Sequence, residues 1–315
     1  MNVLATAYGY AEGVKNGSIT VNRYVKLAIE RHFKDMEASQ DLAYPFYFCE
    51  KTAQKALRFF DFLVLTKGVS KKNVPADHIN PDGTVRFVLQ PWQAFKIASI
   101  FGWKKKADGL RRFTEAYTEI PKKNAKTTTA AGIAGYMLIA DGEAAPDVYF
   151  SAYTQDQANI GFKEIVAQIR ASPALAKRVR ILNNSITIPD KRAHLSAVSN
   201  DAKNTEGKNT HCGIVDEYHV HANDELKNSI QSGQANRSQP LLEVVTTAGF
   251  NRESVCYKHR ELCIGMLEGK YALDNVFALI YGLDEGDDWK DPANWIKVNP
   301  SIGVTVQMDF LHREF

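Results

Sequence analysis

The chain has few of the residues that mark a metal or redox protein. Cysteine occurs four times in 315 residues (Cys49, Cys212, Cys256 and Cys263), and no pair has C-x-x-C spacing. That excludes a zinc ribbon and a disulfide framework as organising devices. One cysteine falls in a predicted buried strand and two on a predicted helix, where a thiol serves as inert apolar filler in a reducing compartment. Charge of one sign is scarce as well: 39 Lys and Arg oppose 36 Asp and Glu, a net of +3. The whole chain is therefore no polycation. Its basic clusters are local, "GWKKKADGLRRF" (102–113) and "AKRVR" (176–180); either can face phosphates, although solvated basic faces are commoner. Apolar runs fall far short of a membrane span, and no secretory signal, internal repeat or low-complexity stretch is visible.

What is present is a well-filled core, with 44% hydrophobic and 24% charged residues, the profile of a globular enzyme. Residues 1 to about 70 read as helical, with Tyr24, Ala28, His32 and Met36 on one side of "ITVNRYVKLAIERHFKDMEAS". Residues 68–84, carrying Gly, Pro, Asn and Asp, read as a linker or surface loop. From about residue 85 strands alternate with helices. The strand candidates are "TEAYTEIP", "DVYFSAYT", "SITIP", "AHLSAVS", "HCGIVDEYHV", "PLLEVVTTAG" and "NVFALIYGL". Helices are predicted from Lys126, from Gln155 to about Arg170, and over "ESVCYKHRELCIGMLEG". Such alternation specifies an α/β fold with a mainly parallel sheet, helices on both faces, and ligands at the carboxyl ends of its strands.

Glycine is missing where it would be most telling. In "EIPKKNAKTTTAAG" (119–132), Lys126 and Thr127 form the Lys-Thr pair of a phosphate loop, yet Ile120 and Ala125 stand where G-x-x-x-x-G-K-[ST] has glycines. A β-carbon at 125 disfavours positive φ and crowds an approaching phosphate. The rest fits. Strand, loop and helix occur in order, Lys126 and Thr127 would stand at a helix N-terminus that favours an anion, and Lys122 and Lys123 add positive charge. "HCGIVDEYH" supplies a partner: a strand (Cys212 to Val215) ending in Asp216 and Glu217, as a Walker B element requires, with Asp216 holding magnesium and Glu217 orienting and deprotonating water. Gln93, with Trp92 beside it, offers an amide that could read an adenine edge, and Thr246 and Thr247 end the following strand in hydroxyls able to sense a γ-phosphate.

With these residues aligned, the chain resembles the ATPase part of the large terminase subunit of tailed bacteriophages. The resemblance runs through "LQPWQAFKIASIFGW", "GLRRFTEAYTEIPKKNAKT", "VYFSAYTQDQA", "GIVDEYHVH", "TTAG" and "WIKVNPSIG". It implies an ASCE-type P-loop NTPase domain over 71–300, a helical N-terminal subdomain over 1–70, and the start of a linker at 301–315 toward a nuclease domain not expected in this chain. It further implies that Pro121, Lys122, Lys123, Asn124, Ala125, Lys126, Thr127 and Thr128 contact nucleotide, with Gln93 reading adenine. Lys123 and Lys126 would assist Glu217 in catalysis, Thr127 and Asp216 would hold Mg2+, and Thr246, Thr247, Ala248 and Gly249 would couple hydrolysis to movement.

The implied partners are ATP, double-stranded DNA, a portal protein and a small terminase subunit, in a homo-oligomeric ring on the procapsid, in the host cytoplasm and away from membrane. Relatives often carry an arginine finger before a glycine ahead of Walker B; here that pair is Glu206-Gly207, which leaves Lys208, Arg178 and Arg252 as candidates. "DEGDDWKD" (284–291) is contiguous and reads as a solvated turn, since a two-metal nuclease draws carboxylates from separate strands. A helicase-like ATPase and a scaffold with a decayed nucleotide site are the other readings.

Overall fold

The computed structural model describes residues 3–66, 76–199 and 208–314. Helices α1 (Val3–Lys15) and α2 (Arg23–Ala38) come first, then β1 (Phe46–Phe48), α3 (Glu50–Phe59), β2 (Val64–Leu65) and β3 (Val85–Arg86). Helix α4 (Pro91–Gly102) leads into β4 (Trp103–Lys105) and β5 (Glu115–Glu119), followed by α5 (Lys126–Ile139), β6 (Asp147–Ala152), α6 (Gln155–Arg170) and α7 (Pro173–Ala176). The hairpin β7 (Arg180–Ile181) and β8 (Ser185–Ile188) precedes β9 (Ala193–Ser199). Then come β10 (Thr210–Asp216), α8 (Glu225–Ser232), β11 (Leu241–Thr246), α9 (Val255–Leu267), β12 (Val276–Ile280), α10 (Pro292–Val298) and α11 (Met308–Glu314). Part of the expected 68–84 loop and the pair Glu206-Gly207 lie outside the described residues.

The main sheet has the order β12-β5-β11-β10-β6-β9-β8-β7. Its strands from β12 to β9 pair in parallel, and β9-β8-β7 close one edge antiparallel. Strands β5, β10, β11 and β12 are buried along their whole length, as expected of central parallel strands covered on both faces. Crossovers through α5 and α6 step one way along the sheet and those through α8 and α9 step the other. Because such connections are right-handed, the two pairs of helices cover opposite faces. Strand β11 is thereby inserted between β5 and β10, and its end emerges between the loop that leaves β5 and the acids that end β10.

The N-terminal helices have no core of their own. One apolar cluster runs from Leu4 through Leu57, Trp92 and Ile133 to Tyr281. Helix α4, opened by Pro91 and a capping box between Gln90 and Gln93, is buried from Trp92 to Gly102 and lies between α1, α3 and the sheet. Strand β1 pairs with β4, and Asn22, which caps α2 by accepting from the Val25 N–H, also donates to the Ile280 carbonyl of β12 at 3.0 Å. The expected boundary near residue 70 lies outside the described residues, and the helices before it share one apolar cluster with the sheet after it. Residues 301–314 likewise fold back: Ser301 is fully buried, and Trp295, Val306 and Leu311 form a small cluster beneath α11.

The basic cluster at 102–113 faces no phosphate through its arginines. Arg111 is buried against Asp141 at 2.7 Å, and Arg112 against Asp35 at 2.6 Å with its guanidinium over the Phe46 ring. In "DEGDDWKD", Asp284 and Asp287 pair with Lys297, and Asp284 accepts from the Arg23 N–H. Beneath the site, Lys96 of α4 forms a fully buried ion pair with Glu243 of β11, whose carboxyl is pushed up by burial and pulled back by the lysine. Removing one partner strands a charge in the core. Lys96→Met should therefore lower unfolding stability by about 3–5 kcal/mol, while Lys96→Met with Glu243→Leu should recover most of the loss. Urea unfolding of both variants checks this.

Candidate functional site

Strand β5 ends at Glu119, and the chain curls through residues 120–125 before α5 starts at Lys126. Two residues of that curl are left-handed, Lys123 at φ 71° and Ala125 at φ 55°. Left-handed residues in a tight loop turn backbone N–H groups toward one concavity, where an anion can sit. The N-terminal N–H groups of α5 add their unpaired donors and the positive end of the helix dipole. Ala125 thus takes the conformation a glycine would take at this position, at a cost of about 1–2 kcal/mol.

At the end of β10, Asp216 and Glu217 would alternate faces if the strand continued. Glu217 is left-handed instead, at φ 50°, and the chain turns into a single 3-10 turn over Tyr218–Val220. That break in the pleat brings both carboxylates to the loop. The Thr127 hydroxyl donates to Asp216 Oδ2 at 3.0 Å, and Lys126 Nζ lies 3.7 Å from Glu217 Oε1. Burial, reinforced by Glu217, pushes the Asp216 carboxyl up to about 6 despite Thr127 and Lys126. Burial also holds the Lys126 ammonium below the usual lysine range, against the pull of Glu217 and Asp216. The result is one cation and two oxygen-rich acids at the mouth of an anion-binding turn. Thr127 and Asp216 offer adjacent hard oxygen ligands to a divalent cation.

Thr246 and Thr247 close the third side. The Thr246 carbonyl accepts from the Ile120 N–H at 3.0 Å, which ties β11 to the root of the loop. His219 joins them: its backbone N–H donates to Thr246 Oγ1 at 3.0 Å, its Nδ1 lies 3.2 Å from both Thr246 Oγ1 and Thr247 Oγ1, and that same Nδ1 is 3.3 Å from Glu217 Oε2. Ala248 and Gly249 are exposed just beyond. The sequence carries no signal for His219, because nothing in strand periodicity shows that the turn after Glu217 folds the imidazole back toward β11.

Other predicted residues sit differently. Gln93 is fully buried with both ends of its amide engaged, Oε1 accepting from the Gln90 N–H at 2.9 Å and Nε2 donating to Thr129 Oγ1 at 2.8 Å. It braces the first turn of α5 from a fully buried position. Trp92 is buried too, donating from Nε1 to Ser301 Oγ. Asn124 lies in the loop but faces the C-terminal segment, with Nδ2 donating to Asn299 Oδ1 at 2.9 Å and Oδ1 accepting from the Ser301 N–H. Lys122 and Lys123 are exposed, Pro121 and Thr128 half-buried. Among the finger candidates, Lys208 lies over the Tyr149 ring next to the amino end of β10, the edge opposite the site. Arg178 follows α7 beside the far end of α5, and Arg252 is exposed on the loop after β11, at the same sheet edge as the site.

Residues 91–264 match the family described as terminase large subunit, ATPase domain. Protein YmfN of Escherichia coli K12 is 48% identical over 106 residues, covering 34% of this chain and 23% of that protein. The terminase large subunit of Lactococcus phage p2 is 21% identical over 302 residues, 92% of this chain and 51% of that protein. Among solved structures, the crystal structure of the HK97 bacteriophage large terminase superposes with a TM-score of 0.68 at 19% identity, covering 83% of this chain and 50% of that one. The chain spans about half the length of the phage p2 relative and of the HK97 chain.

Two outcomes follow from the site's strain and charge. Ala125→Gly relieves the left-handed alanine but adds about 0.5–1 kcal/mol of chain entropy, so a net gain of a few tenths to about 1 kcal/mol is expected in urea unfolding. Asp216 has a folded pKa above its unfolded value, so its favourable contribution is complete below about pH 4 and is lost as pH rises through about 6. Asp216→Asn should therefore be more stable than the parent at pH 7.5, by up to about 3 kcal/mol without nucleotide or metal, with the difference shrinking at pH 5. Calorimetry at the two pH values checks it.

Proposed function

The chain belongs to the family of terminase large subunit ATPase domains, and we propose that it hydrolyses ATP to drive double-stranded DNA into a viral procapsid. Family membership carries the ATPase class and, with it, a part in a packaging motor. The observation that supports the site assignment is the convergence of Lys126, Thr127, Asp216 and Glu217 on one edge of the sheet. In this reading the 120–125 loop and the α5 N-terminus cradle the phosphates, and Lys126 leaves Glu217 to neutralise the terminal ones. Glu217 then orients and deprotonates the attacking water.

Thr127 and Asp216 fit magnesium. A carboxylate raised by burial beside a second acid is eased by a hard cation, and such sites need only one or two protein oxygens because substrate phosphates supply the rest. The absence of any group of three His, Cys, Asp or Glu ligands among the described residues agrees with that arrangement rather than with an all-protein metal cage. Bound there, the cation would offset charge on the phosphate oxygens.

Thr246 and Thr247 pass the change at the phosphate to β11 in this reading, with Ala248 and Gly249 following. Gln93 holds the α5 N-terminus in place, the role its two hydrogen bonds support. A portal protein, a small terminase subunit and neighbouring copies in a ring are the proposed partners, in the host cytoplasm. No helix among the described residues is long and apolar enough to cross a membrane. Arg252 is the proposed donor of a finger to a neighbouring subunit, because it alone of the three candidates stands exposed at the site's edge.

Glu217→Gln tests the assignment. Turnover of ATP should fall by about a hundredfold or more while binding of a non-hydrolysable analogue is retained. Unchanged turnover with intact binding would remove Glu217 from the role of base.

A further inference from the structure

Glu217 has two neighbours of different kinds, and only one of them stays when phosphate arrives. Its Oε1 faces Lys126 at 3.7 Å, an ammonium that a terminal phosphate would claim. Its Oε2 is buried without a hydrogen-bond partner, and His219 Nδ1 stands 3.3 Å away. The hydrogen on that nitrogen can be assigned from the surrounding bonds. The Thr246 hydroxyl donates its hydrogen to the Thr247 carbonyl at 2.8 Å, so Thr246 Oγ1 can only accept from His219. It already accepts from the His219 backbone N–H and, at 3.8 Å, from the Cys256 thiol, so the approach of Nδ1 to it at 3.2 Å and to a carboxylate oxygen at 3.3 Å is favourable only if Nδ1 carries hydrogen.

One N–H therefore faces three oxygens at nearly equal distance: Glu217 Oε2, Thr246 Oγ1 and Thr247 Oγ1. A small ring rotation decides which of them receives it. We propose that His219 is a positioning residue that fixes the Glu217 carboxylate through Nδ1–H and links its position to the end of β11. With the hydrogen bond on Oε2, the carboxylate stays aimed after Lys126 leaves for phosphate. With it on Thr246 or Thr247, the carboxylate is released.

The segment after β11 runs beside the histidine, near enough that a β-carbon added at Gly249 would come within 3.2 Å of His219 Cβ. A displacement of residues 247–249 would press directly on the histidine. The inference rests on Glu217 being the base. The alternative is that His219 merely pins the turn at 218–220 to β11, which its backbone N–H already does without the ring.

The experiment compares His219→Ala and His219→Asn with Glu217→Gln in the full chain, by steady-state ATP turnover, affinity for a non-hydrolysable ATP analogue and melting temperature. Misplacing a base by about 1 Å lowers its effectiveness on the order of a hundredfold. His219→Ala should lose about ten- to a hundredfold in kcat, with KM and analogue affinity within about twofold of the parent. His219→Asn, whose amide nitrogen occupies the Nδ1 position, should recover most of that loss. The proposal is overturned if His219→Ala keeps kcat within about twofold of the parent, or if both histidine variants lose equally at unchanged melting temperature. Loss in Glu217→Gln with retention in His219→Ala refutes this inference alone, whereas retention in Glu217→Gln removes the base assignment on which it stands.

Discussion

Two adjacent carboxylates at the end of a buried strand repel each other, and the region around them is arranged to answer that repulsion. Asp216 is pushed toward neutrality by its burial and by Glu217; Thr127 and Lys126 oppose the push. The lysine is itself held in a position that burial disfavours. Neither half is comfortable without the other, which is why the 120–125 loop, the start of α5 and the acidic end of β10 are best understood as one unit.

Topology makes the unit possible. Because β11 lies between β5 and β10, the loop and the acids are two strands apart, and the end of β11 lies between them. Thr246 then bonds on one side to Ile120, at the loop's root, and on the other to His219, next to the acids. Beneath it, the Lys96–Glu243 pair fixes the middle of the same strand to α4. A shift at the end of β11 therefore cannot be absorbed by sliding the whole strand. It has to be taken up at residues 246–249.

Much of this was legible beforehand, for identifiable reasons. Strands such as β10 and β11 are apolar runs of ordinary length that end in polar residues, so their existence and their functional ends followed from composition. That Lys126-Thr127 and Asp216-Glu217 come close together was legible because each pair follows a strand in an order that places both at one edge of the sheet. The left-handed conformation of Ala125 was not legible, since alanine resists it and only the loop's closure imposes it. Nor were the roles of Gln93 and Asn124: an amide can cap, brace or bind, and its partners at Thr129 and Asn299 are remote in sequence. Arg111 and Arg112 looked like surface charge because their acids, Asp141 and Asp35, come from distant parts of the chain. That the N-terminal helices share an apolar cluster with the sheet was not legible either, because shared packing leaves no trace in helical periodicity.

The clasp between Asn124 and residues 299–301 has a mechanical consequence. Two hydrogen bonds join the curl above α5 to the turn between α10 and α11, and Trp92 anchors that turn from below through Ser301. A tug on α11 is thus delivered to the backbone beside Ala125 instead of dissipating at the periphery. Displacing α11 would load those two hydrogen bonds first, because they are what ties its turn to the loop.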